Sequence, residues 1–200
     1  LYDKDGNILE GWVFGKTKSN VYSKIKLFQN NDKDYIVFRD MSELYILNRR
    51  GQTRVTPEVN IPISKNSEIF FSQGSEHRKA HFAVSNPSGT VYFIYENGKV
   101  DKKEIETQTK NHIFSYEDIN GDNVSDYIFT DNDHTVCYNG INSKRLFTYR
   151  YNKEILHGIS FYDFGNNDIR IGTGSKDKIY LINNKGKLCE GFPLIGSGLF

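Results

Sequence analysis

Apolar residues along this chain fall in runs of four to seven, broken by Asn, Asp, Gly and charged residues, and the runs come in sets of four. Residues 24–28, 34–39, 43–48 and 53–59 make the first set, and 68–72, 80–85, 91–95 and 99–105 the second. Residues 112–116, 126–130, 135–138 and 145–151 make the third, and 158–162, 169–173, 178–182 and 187–192 the fourth. Runs this short, rich in Tyr, Phe, Ile and Val and bounded by turn residues, predict β-strands. No window of 12 or more residues holds a clean helical period, so almost no helix is expected.

The sets repeat. Leu44-Tyr45-Ile46-Leu47, Val91-Tyr92-Phe93-Ile94, Val136-Cys137-Tyr138 and Ile179-Tyr180-Leu181-Ile182 recur 47, 45 and 43 residues apart, and Ile25, Ile69, Ile113 and Ile159 recur at 44, 44 and 46. Four short strands in each period of 40 to 50 residues are the sequence signature of β-propeller blades. The expected fold is therefore all-β, a β-propeller of about four four-stranded blades plus a partial one. Tyr45, Tyr92, Cys137 and Tyr180 are expected at equivalent third-strand positions and the four isoleucines at equivalent first-strand positions. Leu27, Phe71, Ser115 and Phe161 are expected to face the adjacent blade.

Asn48-Arg49-Arg50-Gly51, Glu96-Asn97-Gly98 and Asn183-Asn184-Lys185-Gly186 place Gly where a hairpin needs positive φ. Asp3-Lys4-Asp5-Gly6 reads as the same turn, and aligning Gly6 with Gly186 also matches Glu10-Gly11-Trp12 to Glu190-Gly191-Phe192, an offset of 180 residues. Residues 1–22 then read as the outer half of a preceding blade. Residues 23–66, 67–110, 111–156 and 157–198 read as four blades of one repeat domain, with Leu199-Phe200 opening another. Because the head duplicates an outer half that the tail already supplies, and no initiator Met is present, the expectation is an arc of a larger, seven- or eight-bladed propeller whose remaining blades are partners.

The 26 basic and 25 acidic residues leave a net charge of +1, so there is no basic stripe for counterion release and nucleic acid is not an expected partner. No apolar run of 18 residues spans a membrane. Cys137 and Cys189 make no disulfide framework; both read as structural strand residues.

One stretch carries site chemistry. In Asp118-Ile119-Asn120-Gly121-Asp122-Asn123-Val124-Ser125-Asp126, oxygen-bearing side chains alternate around a Gly, a pattern that wraps a hard cation such as calcium. Asp118, Asn120, Asp122 and Asp126 offer side chains and Val124 its carbonyl. An ordinary Asx-rich turn that orders the hairpin is the alternative reading. The loop resembles the D-x-N-G-D-G-x-x-D loops of FG-GAP and VCBS-type propeller repeats, which often hold calcium; Asn123 stands where those families prefer Gly. The counterparts at 29–34, 73–78 and 163–168 lack the full set. The phrase at Leu44 to Gln52 and Ile179 to Lys187 resembles repeats of PQQ-like and WD40-like propellers in secreted or envelope-associated bacterial proteins. The quinone-docking Trp series, the vicinal cysteines and the Gly-His and Trp-Asp signatures are absent.

Catalytic readings are weaker. His77, His81, His112, His134 and His157 are scattered, and only His112 and His157 fall at equivalent points, His112 with Glu117 or Asp118 as neighbours for a general base. Asp163-Phe164-Gly165 and Gly172-Thr173-Gly174-Ser175 read as hairpin geometry. Asp40, Asp131 and Asp163 are carboxylate candidates, Asp40 and Asp131 in matching turns. The expected function is a non-catalytic recognition or scaffolding module for a protein or carbohydrate ligand in a periplasmic, outer-membrane-associated or extracellular setting. The alternative is part of a propeller-type glycosidase or lyase.

Overall fold

The computed structural model describes residues 1–74, 78–106, 108–151 and 158–196. Their ordered elements are all strands; no helix occurs among them. A first sheet joins β1 (Lys26–Asn30), β2 (Lys33–Arg39), β3 (Leu44–Leu47) and β4 (Thr53–Val55), and a second joins β5 (Phe70–Ser72), β6 (His81–Ser85), β7 (Val91–Tyr95) and β8 (Val100–Lys103). The third contains β9 (Ile113–Glu117), β10 (Asp126–Thr130), β11 (His134–Tyr138) and β12 (Arg145–Arg150), and the fourth β13 (Ser160–Asp163), β14 (Ile169–Gly174), β15 (Lys178–Ile182) and β16 (Leu194–Ile195). Each is an antiparallel meander in chain order, the blade of a β-propeller.

The chain forms two compact units. Leu1–Asn86 with Val91–Lys103 holds the first two sheets, and Pro87–Thr90 with the segment from Glu104 onward holds the last two. Within the first unit Tyr35, Val37, Ile46 and Val55 of one sheet meet Ile69, Phe82, Val84 and Ile94 of the next. The rings of Tyr35 and Phe82 lie 5.5 Å apart edge to face. Within the second, Ile128, Cys137 and Phe147 meet Ile171 and Ile182, with Ile119 beneath. An antiparallel sheet buries one face only when alternate residues agree, so these contacts set the register.

Register corrects one part of the sequence reading. The turns between second and third strands close with Asp40 N–H to Glu43 O, Asp131 N–H to His134 O and Ser175 N–H to Lys178 O. Counting from them, Tyr45 and Tyr180 are equivalent, as pairs Phe38↔Tyr45 and Thr173↔Tyr180 show, and Val84↔Tyr92 joins them. In the third sheet that place belongs to Val136, paired with Phe129, not to Cys137. Cys137 matches Ile46: both face the following sheet of their unit, and both precede a register shift against the fourth strand. The first strand is displaced in the same way. Phe114 stands in for Ile25, Ile69 and Ile159, and Tyr116, not Ser115, matches Leu27, Phe71 and Phe161.

The offset of 180 residues holds bond for bond. Tyr2 bridges Ile8 as Ile182 bridges Leu188. Leu9, Gly6 and Trp12 donate to Leu1, Asp3 and Leu9 as Cys189, Gly186 and Phe192 donate to Leu181, Asn183 and Cys189. Residues 1–22 carry Phe14 onto Phe38 and Tyr45, at ring distances of 5.6 and 5.5 Å.

Two fourth strands differ from expectation. Residues 187–192 give only the bridge at Leu188, and strand pairing comes later, at Leu194–Ile195. In the first sheet β4 stops at Val55 rather than running to 59, because Pro57 has no N–H for a ladder. The chain turns instead to the next sheet's hairpin, where Glu58 N–H donates to Gly98 O at 2.9 Å. Gly98 has φ +85°, and a Cβ there would stand 2.4 Å from Thr56 O, so both conformation and contact require glycine.

Phe82 and Phe114 are fully buried, and truncation to Ala is expected to cost about 3 to 5 kcal/mol each. Phe161 is half-buried and should cost less; Leu27→Ala, at 64% exposure, should stay within about 0.5 kcal/mol. Urea unfolding checks the ranking. A large cost for Ile113→Ala with a small one for Phe114→Ala would contradict the register.

Candidate functional site

The loop from Asp118 to Asp126 joins β9 to β10 in the second unit. Its side chains first build the loop itself. Asp118 Oδ1 accepts the N–H groups of Gly121 (2.8 Å) and Asp122 (3.2 Å), and Oδ2 accepts that of Asn123 (2.7 Å). Asn120 Oδ1 accepts from Asp122 and Asp122 Oδ1 from Val124, each at 2.9 Å. These are successive Asx turns. Asn123 takes φ +63°, a conformation that Asn tolerates in place of the glycine of the family pattern. Gly121 has φ +78°, and a Cβ on it would meet the Asn167 side chain at 2.7 Å.

Asp126 differs from the rest of the set. It is fully buried, and its carboxylate accepts Gly140 N–H at 2.8 Å on Oδ1 and Ile119 N–H at 3.2 Å on Oδ2. Burial pushes its pKa up to about 6; the two N–H groups oppose the rise, and the charges of Asp122 and Asp118 add to it. Tyr35 holds the same register position in the first sheet and sends its hydroxyl to Glu96.

Among the described residues no three His, Cys, Asp or Glu side chains stand together as a metal cluster. The donor chemistry of the loop nevertheless suits a hard cation. Asp118, Asn120 and Asp122 gather their oxygens in this loop, where N–H groups of the loop and of Asn139 also use them, with Val124 following, whereas Asp126 is buried and accepts from Gly140, Ile119 and the Asn120 amide. Two supporting residues have no local signal in the sequence. Asn139 Nδ2 donates to Asp122 Oδ2 at 3.0 Å, and Gly140 reaches Asp126. Both come from the turn after β11, which brings them back along the antiparallel pair β10–β11.

The first and fourth sheets shorten this loop. In the first, Asn30 pairs with Lys33 across a two-residue turn, Asn31 at φ +46° and Asp32 at φ +59°, the primed hairpin form. In the fourth, Gly165 N–H donates to Asp163 Oδ1 at 2.7 Å, and the Phe164 ring lies 4.1 Å below the Arg170 guanidinium. The loop after β5 includes Ser75, Glu76 and His77, which lie outside the described residues, as do His157, Leu199 and Phe200.

Among the described residues of the second unit the catalytic candidates do not converge. His112 precedes β9 while Glu117 ends it and Asp118 follows, a strand length of roughly 16 Å away. His112 is fully buried against the Phe129 ring, bonded to Thr109 O, and desolvation lowers its pKa. Burial works to raise the Asp40 pKa, but N–H groups of Ser42, Glu43 and Ser19 and the Tyr45 hydroxyl hold it well below the carboxylate range. Asp131 lies in a turn between second and third strands and Asp163 at a turn between first and second, at opposite ends of such meanders. Cys137 is buried and its thiol is pushed up by desolvation; Cys189 is half-buried, and both are free. No helix is long and apolar enough to cross a membrane among the described residues.

Comparison with known proteins bears on the fold. No protein-family model matches the chain. No curated protein matches it either. Among solved structures it is similar to BBS1N in complex with ARL6DN, soaked with mercury, with TM-score 0.59 and 14% identity over 94% of this chain and 63% of that one. It is also similar to a protein of unknown function from Bacteroides caccae, with TM-score 0.52 and 14% identity over 90% of this chain and 66% of that one. The chain thus spans just under two thirds of each. The class defined is an all-β β-propeller, and likeness at this identity is likeness of fold.

Because the folded pKa of Asp126, about 6, exceeds the unfolded value near 3.9, the fold holds a proton between the two. Stability from this group is present at low pH and is lost as pH rises from about 4 through 6, on the order of 2 to 3 kcal/mol. Asp126→Asn should remove that slope. Urea unfolding at pH 4.5 and 6.5 measures it, and equal slopes in the two proteins would show that Asp126 is not desolvated.

Proposed function

We propose that this chain is a non-catalytic recognition or scaffolding module carried on β-propeller blades. The observation that carries the reading is the outer face of the fourth sheet. Tyr162 (50% exposed), Phe164 (57%) and Leu194 (46%) stand around a groove of about 380 Å³ floored by Gly172 and Leu181. Clustered exposed aromatic and aliphatic side chains of this kind suit a protein partner. BBS1N, similar in fold, was solved in complex with ARL6DN, which supports protein contact as a use of such blades. A periplasmic, outer-membrane-associated or extracellular setting belongs to the same proposal, supported by the resemblance to bacterial envelope propeller repeats. The full-length protein, assayed for protein and glycan binding and for glycan hydrolysis, should bind without turnover and lose binding in Tyr162→Asp. Hydrolysis that disappears in Asp131→Asn or Asp163→Asn would contradict the module and favour the glycosidase or lyase.

The loop after β9 adds a structural ion to this reading. Calcium would be held by Asp118, Asn120 and Asp122 with the Val124 carbonyl, and would supply charge neutralisation beside Asp126. Calorimetric titration with calcium should give saturable heat at millimolar concentrations, lost in Asp118→Ala. No heat would remove the ion from the proposal.

A further inference from the structure

We propose that the outer edge of β3 at Leu44 accepts an extended peptide of a partner protein as an added strand, an inference that rests on the recognition reading above. The other three sheets show what occupies this place. The residue equivalent to Leu44 is Val91 in the second sheet, Thr135 in the third and Ile179 in the fourth. Each pairs with a fourth-strand residue, as Val91↔Lys103, Thr135↔Tyr149 and Ile179↔Leu194. The first sheet alone breaks off. Its ladder holds Ile46↔Val55 and Leu47↔Thr53, and the position that would oppose Leu44 falls to Pro57, which has no N–H to give.

The diverted segment is held away from the edge. Glu58 N–H donates to Gly98 O and its Oε1 accepts Val100 N–H, both at 2.9 Å, so residues 56–58 belong to the neighbouring hairpin. The space left is a groove of about 540 Å³. Leu44 lines it together with polar side chains such as Thr53, Thr56 and Asn60, and the Lys18–Glu43 ion pair stands at one rim. Strand alternation aims the Leu44 N–H and C=O into this groove, because Tyr45 and Glu43 turn theirs to β2. An unpaired ladder position beside an open groove is the geometry of strand addition. Main-chain pairing supplies affinity, and the half-buried Leu44 side chain favours an apolar residue beside the paired one. The fitting partner is an extended segment of about three to five residues with an N–H, hence not proline, opposite Leu44.

Amide hydrogen exchange on the intact chain reads the edge directly. In the free protein the Leu44 amide should exchange at least about tenfold faster than those of Val91, Thr135 and Ile179. Synthetic peptides copying residues 145–150 and 100–105 serve as probes, since these segments contain the strands that fill the equivalent places in the third and second sheets. At least one should slow Leu44 exchange about tenfold or more at millimolar concentration, and N-methylation of its residue opposite Leu44 should abolish the effect. Three results would overturn the proposal: a Leu44 amide already protected in the free chain, no slowing by either peptide, or slowing that follows protein concentration, which would assign the edge to a second copy. Hydrolytic activity in the earlier assay would remove the recognition reading while leaving the exchange result to stand or fall separately.

Discussion

The structure depends on the two-residue alternation of its antiparallel strands. A sheet with two apolar faces is stable only when both are covered, and a slip of one residue would exchange every side chain between faces. In the first unit Tyr35, Val37 and Ile46 meet Phe82 and Ile94. In the second Ile128 and Cys137 meet Ile171 and Ile182. The positions are fixed by this packing, while the chemistry placed on them varies. Tyr35 and Asp126 share one register position, yet Tyr35 reaches Glu96 of the neighbouring sheet and Asp126 gathers main-chain N–H groups of its own.

Turns bear the second part of the load, and they reuse one device. Asp3, Asn48 and Asn183 each accept the N–H groups two and four residues on, closing hairpins that end in Gly6, Gly51 and Gly186. The loop from Asp118 to Asp126 elaborates the same chemistry over more residues, and its oxygens serve the backbone first. A cation site there grows out of turn building. Asp40, with its four donors, belongs to the same class of residue.

The hairpin turns and the four-strand sets were legible because glycine, Asx residues and short β-branched or aromatic runs act locally. The frame of the third sheet was not. Thr135, Val136, Cys137 and Tyr138 are all buried, so no polar face marks the alternation and the motif could be placed one residue out. Ser115, small and polar, then took the place that Tyr116 holds. For the loop, the alternating oxygens were visible, but the inward turn of Asp126 depends on Gly140, which lies beyond a whole hairpin. Pro57 was visible and carried more information than the apolar run around it: it ends β4 and opens the edge at Leu44.

Nuclear Overhauser contacts between α-protons test this register most directly. Facing residues that do not exchange hydrogen bonds bring their α-carbons to about 4.5 Å, which yields strong Hα–Hα cross-peaks. The structure predicts such peaks for Val37 with Ile46 and for Ile128 with Cys137. A peak joining Ile128 to Val136 or Tyr138 instead would shift the third sheet by one residue and contradict the account.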